Sequence, residues 1–151
     1  MAVKSNCSLQ SYLPALAVIN EKYPIDHALV TTYQAISGAG KTFKTWPEMV
    51  DNLIPYIGGE EMKSEVEPNK ILGKIENGEI VPSNELQIEC QTYRVPVSNG
   101  HTASIFFTFK DGVKNFITYA LILCRPKRTP RHNVKARFRC DCVYSVGNGK
   151  S

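Results

Sequence analysis

The chain is predicted to fold as α+β, with helices packed on one face of a mostly antiparallel sheet, and three observations carry that expectation. Residues 102–109 alternate: Ala103, Ile105, Phe107 and Phe109 face one way and Thr102, Ser104, Phe106 and Thr108 the other, the period of a half-buried strand. Leu9, Tyr12, Leu13, Leu16 and Ala17 recur at helical spacing, the stripe of a helix laid on a core. Asn99-Gly100, a dipeptide that tolerates positive φ, separates the strand patterns at 86–93 and 102–109, so these two are expected to pair as an antiparallel hairpin.

With 151 residues, 42% of them hydrophobic, the chain has material for one sizeable core. No apolar run is as long as a membrane span and the first residues lack the hydrophobic centre of a signal peptide, so a soluble, cytoplasmic protein is expected. Five cysteines, an odd number without framework spacing, fit reduced thiols. The net charge of +4 conceals a split: residues 1–124 carry 10 Lys or Arg against 13 acids, and residues 125–151 carry 8 against 1. Residues 125–139 interleave cations with Pro126 and Pro130 and show no core-forming period, which reads as an exposed arm. The cations of residues 125–151 would neutralise phosphates, but that segment has one Tyr and one Phe for stacking and no recognised module, so nucleic acid is not an expected partner.

Along the chain, Asn6-Cys7-Ser8 precedes the first amphipathic run and places Cys7 at or just before a helix N-terminus, where unpaired amides and the helix dipole favour a thiolate. A structural cysteine is the alternative reading. A strand is expected over 27–34, followed by the tight turn Ser37-Gly38-Ala39-Gly40. Ala35 to Thr42 falls short of a phosphate-binding loop, because Ala35 stands where glycine is needed and no helix opens at Lys41. Thr45-Trp46-Pro47-Glu48 reads as a capping box opening a helix. A second helix is expected to start from Gly59 as N-cap, with Glu60 and Lys63 on one face, and Pro68 should break or kink it before Gly73 ends it. A charged solvated face is the alternative reading of Glu60 and Lys63. Asn77-Gly78 marks a turn, and residues 116–123 suit a strand or a short helix. Cys124, His132, Cys140 and Cys142 lack the paired spacing of zinc ribbons and fingers, so no metal site is expected.

At the two edges of the expected hairpin turn stand Arg94, a permanent cation able to grip a carboxylate through two hydrogen bonds, and His101, which exchanges a proton near neutral pH. That pair suits an acidic substrate undergoing proton transfer. A surface Arg and a strand-capping His are the alternative.

Taken in order, Asn6-Cys7-Ser8, Thr32-Tyr33-Gln34-Ala35-Ile36-Ser37-Gly38-Ala39-Gly40, Asn52-Leu53-Ile54-Pro55-Tyr56-Ile57-Gly58-Gly59-Glu60-Glu61-Met62-Lys63, Lys70-Ile71-Leu72-Gly73, Arg94-Val95-Pro96-Val97 and Gly100-His101 resemble aspartate-semialdehyde dehydrogenase over about residues 5 to 110. The resemblance implies interconversion of 4-phospho-L-aspartate and L-aspartate 4-semialdehyde with NADP(H) and phosphate, in aspartate-family amino-acid biosynthesis, by a homodimer or higher homo-oligomer. It implies Cys7 as the nucleophile that forms a thioacyl intermediate, His101 as acid/base and Gln34 as orienting the acyl group. It further implies Arg94 on the substrate α-carboxylate, Glu60 on its amino group and Lys63 assisting phosphate. Residues 1–8 are then a remnant of the nucleotide-binding domain, 9–112 the substrate and dimerisation domain, and 113–151 an unmatched basic tail.

Two departures accompany the resemblance. Nothing of the family's Gly-rich nucleotide turn precedes Asn6, and nothing in 113–151 matches, so a truncated or frame-disrupted product is expected and no residue is assigned to the cofactor. A non-catalytic dimerisation module and an N-acetyl-glutamyl-phosphate reductase-like enzyme are the alternatives. Self-association is expected through the face of Ile105, Phe107 and Phe109.

Overall fold

In a computed structural model of the chain, residues 4–110, 118–125 and 139–146 are described. The first helix, α1 (Leu9–Lys22), leads into β1 (Ile25–Gln34), and the second, α2 (Glu60–Ile71), follows a long connection. A small hairpin, β2 (Lys74–Glu76) and β3 (Glu79–Val81), precedes β4 (Gln87–Arg94), β5 (His101–Phe109), β6 (Thr118–Arg125) and β7 (Arg139–Val146). Five strands form one sheet in the order β4-β1-β5-β6-β7, antiparallel throughout except for β1 beside β4. The fold class is α+β, as expected. Residues 116–123 resolve toward strand, as β6 over Thr118–Arg125, while β7 pairs along β6 in a stretch for which no strand was predicted. The intervening basic residues 126–138 lie outside the described residues.

The expected hairpin of β4 with β5 does not form: β1 lies between them, with Gln34 opposite Arg94 on one side and His101 on the other. Every second residue of β1 from Ala28 to Gln34 is buried, and a strand so enclosed needs ladder partners on both edges to satisfy its amides and carbonyls. The link from β4 to β5 therefore crosses the end of β1. There the Val95 N–H donates to Gln34 O at 3.0 Å and the Ile36 N–H to Val97 O at 3.0 Å.

One face of the sheet carries the core. Ala28, Val30, Ile88, Cys90, Ala103, Ile105 and Phe107 pack with Leu9, Tyr12, Leu13 and Leu16 from α1, each large apolar side chain contributing roughly 1.5–3 kcal/mol of burial. Ile105 and Phe107 are thus 1% and 3% exposed and unavailable for self-association. The other face presents Leu29 and Phe106 beside the stacked rings of Tyr33 and Tyr93.

The long connection departs from expectation at Thr45: a single 3-10 turn, Pro47–Met49, replaces a helix, and the Thr45 hydroxyl bonds within the Thr42 turn rather than capping. Gly59 does cap α2, at φ 78°, but Pro68 does not break it, and the helix continues to Ile71. Asn77 and Gly78, at φ 51° and 83°, make the β2–β3 turn. Along the outer edge of β4, the Cys90 N–H donates to Glu65 Oε1, the Thr92 N–H to Glu61 Oε1, and Arg94 exchanges backbone bonds with Ile54. α2 thereby blunts an edge that would otherwise expose unpaired strand amides.

Candidate active site

The site gathers at the end of β1. Cys7 is exposed, in the turn before α1, and its Sγ stands 3.2 Å from His101 Nε2 at the start of β5. On the far side of the ring, the Ala35 N–H donates to His101 Nδ1 at 3.2 Å. Nδ1 is then the acceptor, which places the proton of a neutral ring on Nε2, facing the sulfur. The contact works on both partners: the His101 hydrogen bond lowers the Cys7 pKa, outweighing burial, and the same bond raises that of His101 against burial.

Arg94 is only 6% exposed, and Nη1 donates to Ala35 O at 2.8 Å and lies 3.5 Å from Gln34 Oε1. Burial lowers its pKa, and the charges of Glu60 and Cys7 act in the opposite sense; a guanidinium keeps its charge here. The Ala35 peptide therefore holds Arg94 by its carbonyl and His101 by its amide. Gln34 is buried, with Nε2 directed to Glu60 Oε2 at 3.4 Å.

Glu60, in the first turn of α2, is the hub on the opposite wall. Its Oε2 accepts from Asn6 Nδ2 at 2.9 Å and its Oε1 from Lys63 Nζ at 3.0 Å. Burial pushes its carboxyl up, but hydrogen bonds from Asn6, Lys63 and Gln34 hold it below its ordinary value. Lys63 is raised by that bond to Glu60. All six residues singled out in the sequence, Cys7, Gln34, Glu60, Lys63, Arg94 and His101, thus join one network of contacts.

Four participants were not singled out in the sequence. Asn6 is held by Glu60 and by Glu67 Oε2, which accepts its backbone N–H at 3.1 Å, while its own Oδ1 accepts the Ser8 N–H at 2.8 Å. Glu60 and Glu67 are seven residues apart on α2, two turns along one face, so helical spacing offered a cue for Glu67. Ala35 acts through its peptide group, and Gly38 through the absence of a side chain; neither has a residue-type signature.

Arranged this way, the site offers a nucleophile with a lowered pKa, a proton carrier in contact with it, and a buried cation beside both. Among the described residues no group of three or more His, Cys, Asp or Glu is placed to hold a metal ion, and no helix is long and apolar enough to cross a membrane.

A family profile described as semialdehyde dehydrogenase, dimerisation domain, matches residues 16–122. Aspartate-semialdehyde dehydrogenase of Candida albicans is 44% identical over 111 residues, 70% of this chain and 30% of its own length. The enzyme of Methanothermobacter thermautotrophicus is 38% identical over 106 residues, again 70% and 30%. The crystal structure of the Candida albicans enzyme with NADP superposes with a TM-score of 0.63 at 39% identity, covering 74% of this chain and 31% of that one. Aspartate-semialdehyde dehydrogenase II of Vibrio cholerae superposes at 0.56 and 26% identity, covering 73% and 38%. The chain spans about 30% of the length of these curated relatives. A profile match over more than half the sequence, joined by the agreement of fold, assigns the chain to the semialdehyde dehydrogenase family through its dimerisation domain.

Proposed function

We propose that the chain carries the acyl-transfer site of an aspartate-semialdehyde dehydrogenase, acting on 4-phospho-L-aspartate, and that Cys7 is its nucleophile. The 3.2 Å contact between Cys7 Sγ and His101 Nε2 is the observation that carries this reading. The thiolate attacks the acyl carbon of the phosphate anhydride, a C–S bond forms, the C–O bond to phosphate breaks, and inorganic phosphate leaves with the bonding pair. In the tautomer that the Ala35 amide selects, His101 Nε2–H donates to the thiolate, and again to the sulfur as the acyl group departs, holding its charge, while the thiol proton leaves to solvent. Arg94 has guanidinium N–H groups beyond Nη1 that bond none of the described residues, and these receive the substrate α-carboxylate. Glu60 takes the amino group, Lys63 assists the departing phosphate, and Gln34 orients the acyl group.

NADP(H) supplies the hydride in the overall reaction. The described residues do not fit it: β1 runs into a 3-10 turn rather than through a Gly-rich turn into a helix, so no dinucleotide cradle is formed. On this reading residues 1–8 belong with the nucleotide domain of the enzyme, 9–112 together with β6 and β7, which continue their sheet, form the substrate and dimerisation unit, the rest of 113–151 is a basic segment, and the protein acts in the cytoplasm in aspartate-family amino-acid synthesis.

Self-association belongs to the same reading, through the sheet face that carries Leu29, Tyr33 and Tyr93 rather than through Ile105 and Phe107. Phosphate release tests the acyl transfer. Mixing the chain with 4-phospho-L-aspartate should liberate about one equivalent of inorganic phosphate in a fast phase. That phase should vanish in Cys7→Ala and slow in Arg94→Lys. A fast phase retained by Cys7→Ala would overturn the proposal.

A further inference from the structure

We infer that Gly38 is a positioning residue for the site: the missing side chain is what lets Arg94 and His101 close on the end of β1 together. A Cβ built at Gly38 would stand 2.8 Å from Arg94 Nη1, 3.1 Å from His101 Cε1 and 3.3 Å from His101 Nε2. The first distance is one that real side chains do not show, and the other two are tighter than ordinary van der Waals contact.

Backbone conformation does not ask for glycine here. The described glycines with positive φ are Gly40, Gly59, Gly78 and Gly100, and Gly38 is not one of them. Close approach is the remaining reason for a residue without a Cβ. Gly38 is also tied to the groups it admits: its N–H donates to Ala35 O at 3.0 Å, the carbonyl that holds Arg94 Nη1 at 2.8 Å, and the same Ala35 amide holds His101.

A methyl group at this point displaces the far ends of two side chains and leaves the backbone in place. His101 Nε2 moves off Cys7, and Arg94 loses its alignment on Ala35. The consequence is a site whose nucleophile is less activated and whose cation is misplaced, in a protein that is still folded. Gly58 supplies the contrast, having an ordinary φ and no atom within 4 Å of a built Cβ.

This inference rests on the acyl-transfer reading, and alkylation of Cys7 separates the two. The pH dependence of Cys7 alkylation by iodoacetamide and by iodoacetate is followed by peptide mapping in the wild type and in Gly38→Ala, Gly58→Ala and His101→Asn. Gly38→Ala should shift the midpoint upward, toward His101→Asn. At pH 7 its rate should fall on the order of threefold to tenfold, the loss of thiolate for a rise of about half to one pH unit. The relative preference for iodoacetate, whose carboxylate Arg94 attracts, should fall too. Gly58→Ala should behave as the wild type, and the melting transition of Gly38→Ala by circular dichroism should stay cooperative. An unshifted Gly38→Ala beside a shifted His101→Asn would overturn this inference alone, as would a Gly38→Ala that does not fold. An unshifted His101→Asn would overturn the acyl-transfer reading beneath it.

Discussion

Cys7 Sγ and His101 Nε2 meet at 3.2 Å across 94 residues of sequence. The turn before α1 brings the sulfur, and the start of β5 brings the ring, with Gln34 at the end of β1 as the register partner of His101. Neither residue would be placed by its own neighbours alone. Packing of α1 on the sheet sets one, the β1–β5 ladder sets the other, and the distance between them is a property of the whole core.

Cys7 should react before Cys90 with a thiol reagent at neutral pH. The His101 contact lowers the pKa of exposed Cys7, whereas burial pushes the Cys90 thiol up to about 11. The alkylation midpoint of Cys7 should lie below about 8.5, the ordinary thiol value, and peptide mapping after short exposure distinguishes the two sites. Equal rates would remove the activation of Cys7.

Removing Glu61 or Glu65 should destabilise the fold although both look like surface acids. Each accepts a backbone N–H from the edge of β4, and leaving such a donor without its partner costs about 1–3 kcal/mol. Urea denaturation of Glu61→Ala and Glu65→Ala reads this directly. The double variant should also aggregate, since it uncovers a strand edge.

Glu60 should govern part of the acid limb of stability. Its folded pKa lies below that of the unfolded chain, so the unfolded state binds its proton first as pH falls. The stabilisation is therefore complete above the ordinary glutamate pKa, about 4.3, and is lost as pH drops through the folded value. Glu60→Gln should show a shallower loss of melting temperature between neutral and acidic pH. An unchanged acid limb would mean that Asn6, Gln34 and Lys63 do not hold the carboxylate in solution.

Self-association should weaken when Leu29 becomes Lys. Leu29 is 39% exposed on the sheet face that carries Tyr33 and Tyr93, and a charge there opposes burial against a second copy. Sedimentation velocity of Leu29→Lys beside the wild type tests the face, and an unchanged distribution would place the contact elsewhere.

How much of this was legible follows from the kind of signal each part leaves. The stripe of Leu9, Tyr12, Leu13 and Leu16 and the alternation of 102–109 survive into the structure because local period and core burial agree. The β4–β5 pairing was misread because Asn99-Gly100 is a local cue, while the insertion of β1 between the two strands is a non-local choice driven by its need for two ladders. Thr45 to Glu48 shows the same weakness: the capping pattern promises a helix, and Trp46, Met49, Val50, Leu53 and Ile54 keep helical spacing, but the backbone turns at Asp51, at φ 56°, and Ile54 pairs with Arg94 instead. A solvated face was the alternative reading of Glu60 and Lys63, yet Glu60 and Glu67 clamp Asn6 while Glu61 and Glu65 bond the edge of β4, roles that exist only after docking. Motif order made Cys7, Gln34, Glu60, Lys63, Arg94 and His101 visible as a group, whereas Ala35 and Gly38 act through a peptide group and a missing Cβ.

The central claim is that Cys7 becomes acylated, and the direct measurement is mass spectrometry of the quenched chain after brief exposure to 4-phospho-L-aspartate. An aspartyl adduct should appear on the Cys7 peptide, be released by hydroxylamine as a thioester is, and be absent in Cys7→Ser and weak in His101→Asn. An adduct that forms equally well in His101→Asn, or that maps to another cysteine while Cys7 stays free, would contradict the account.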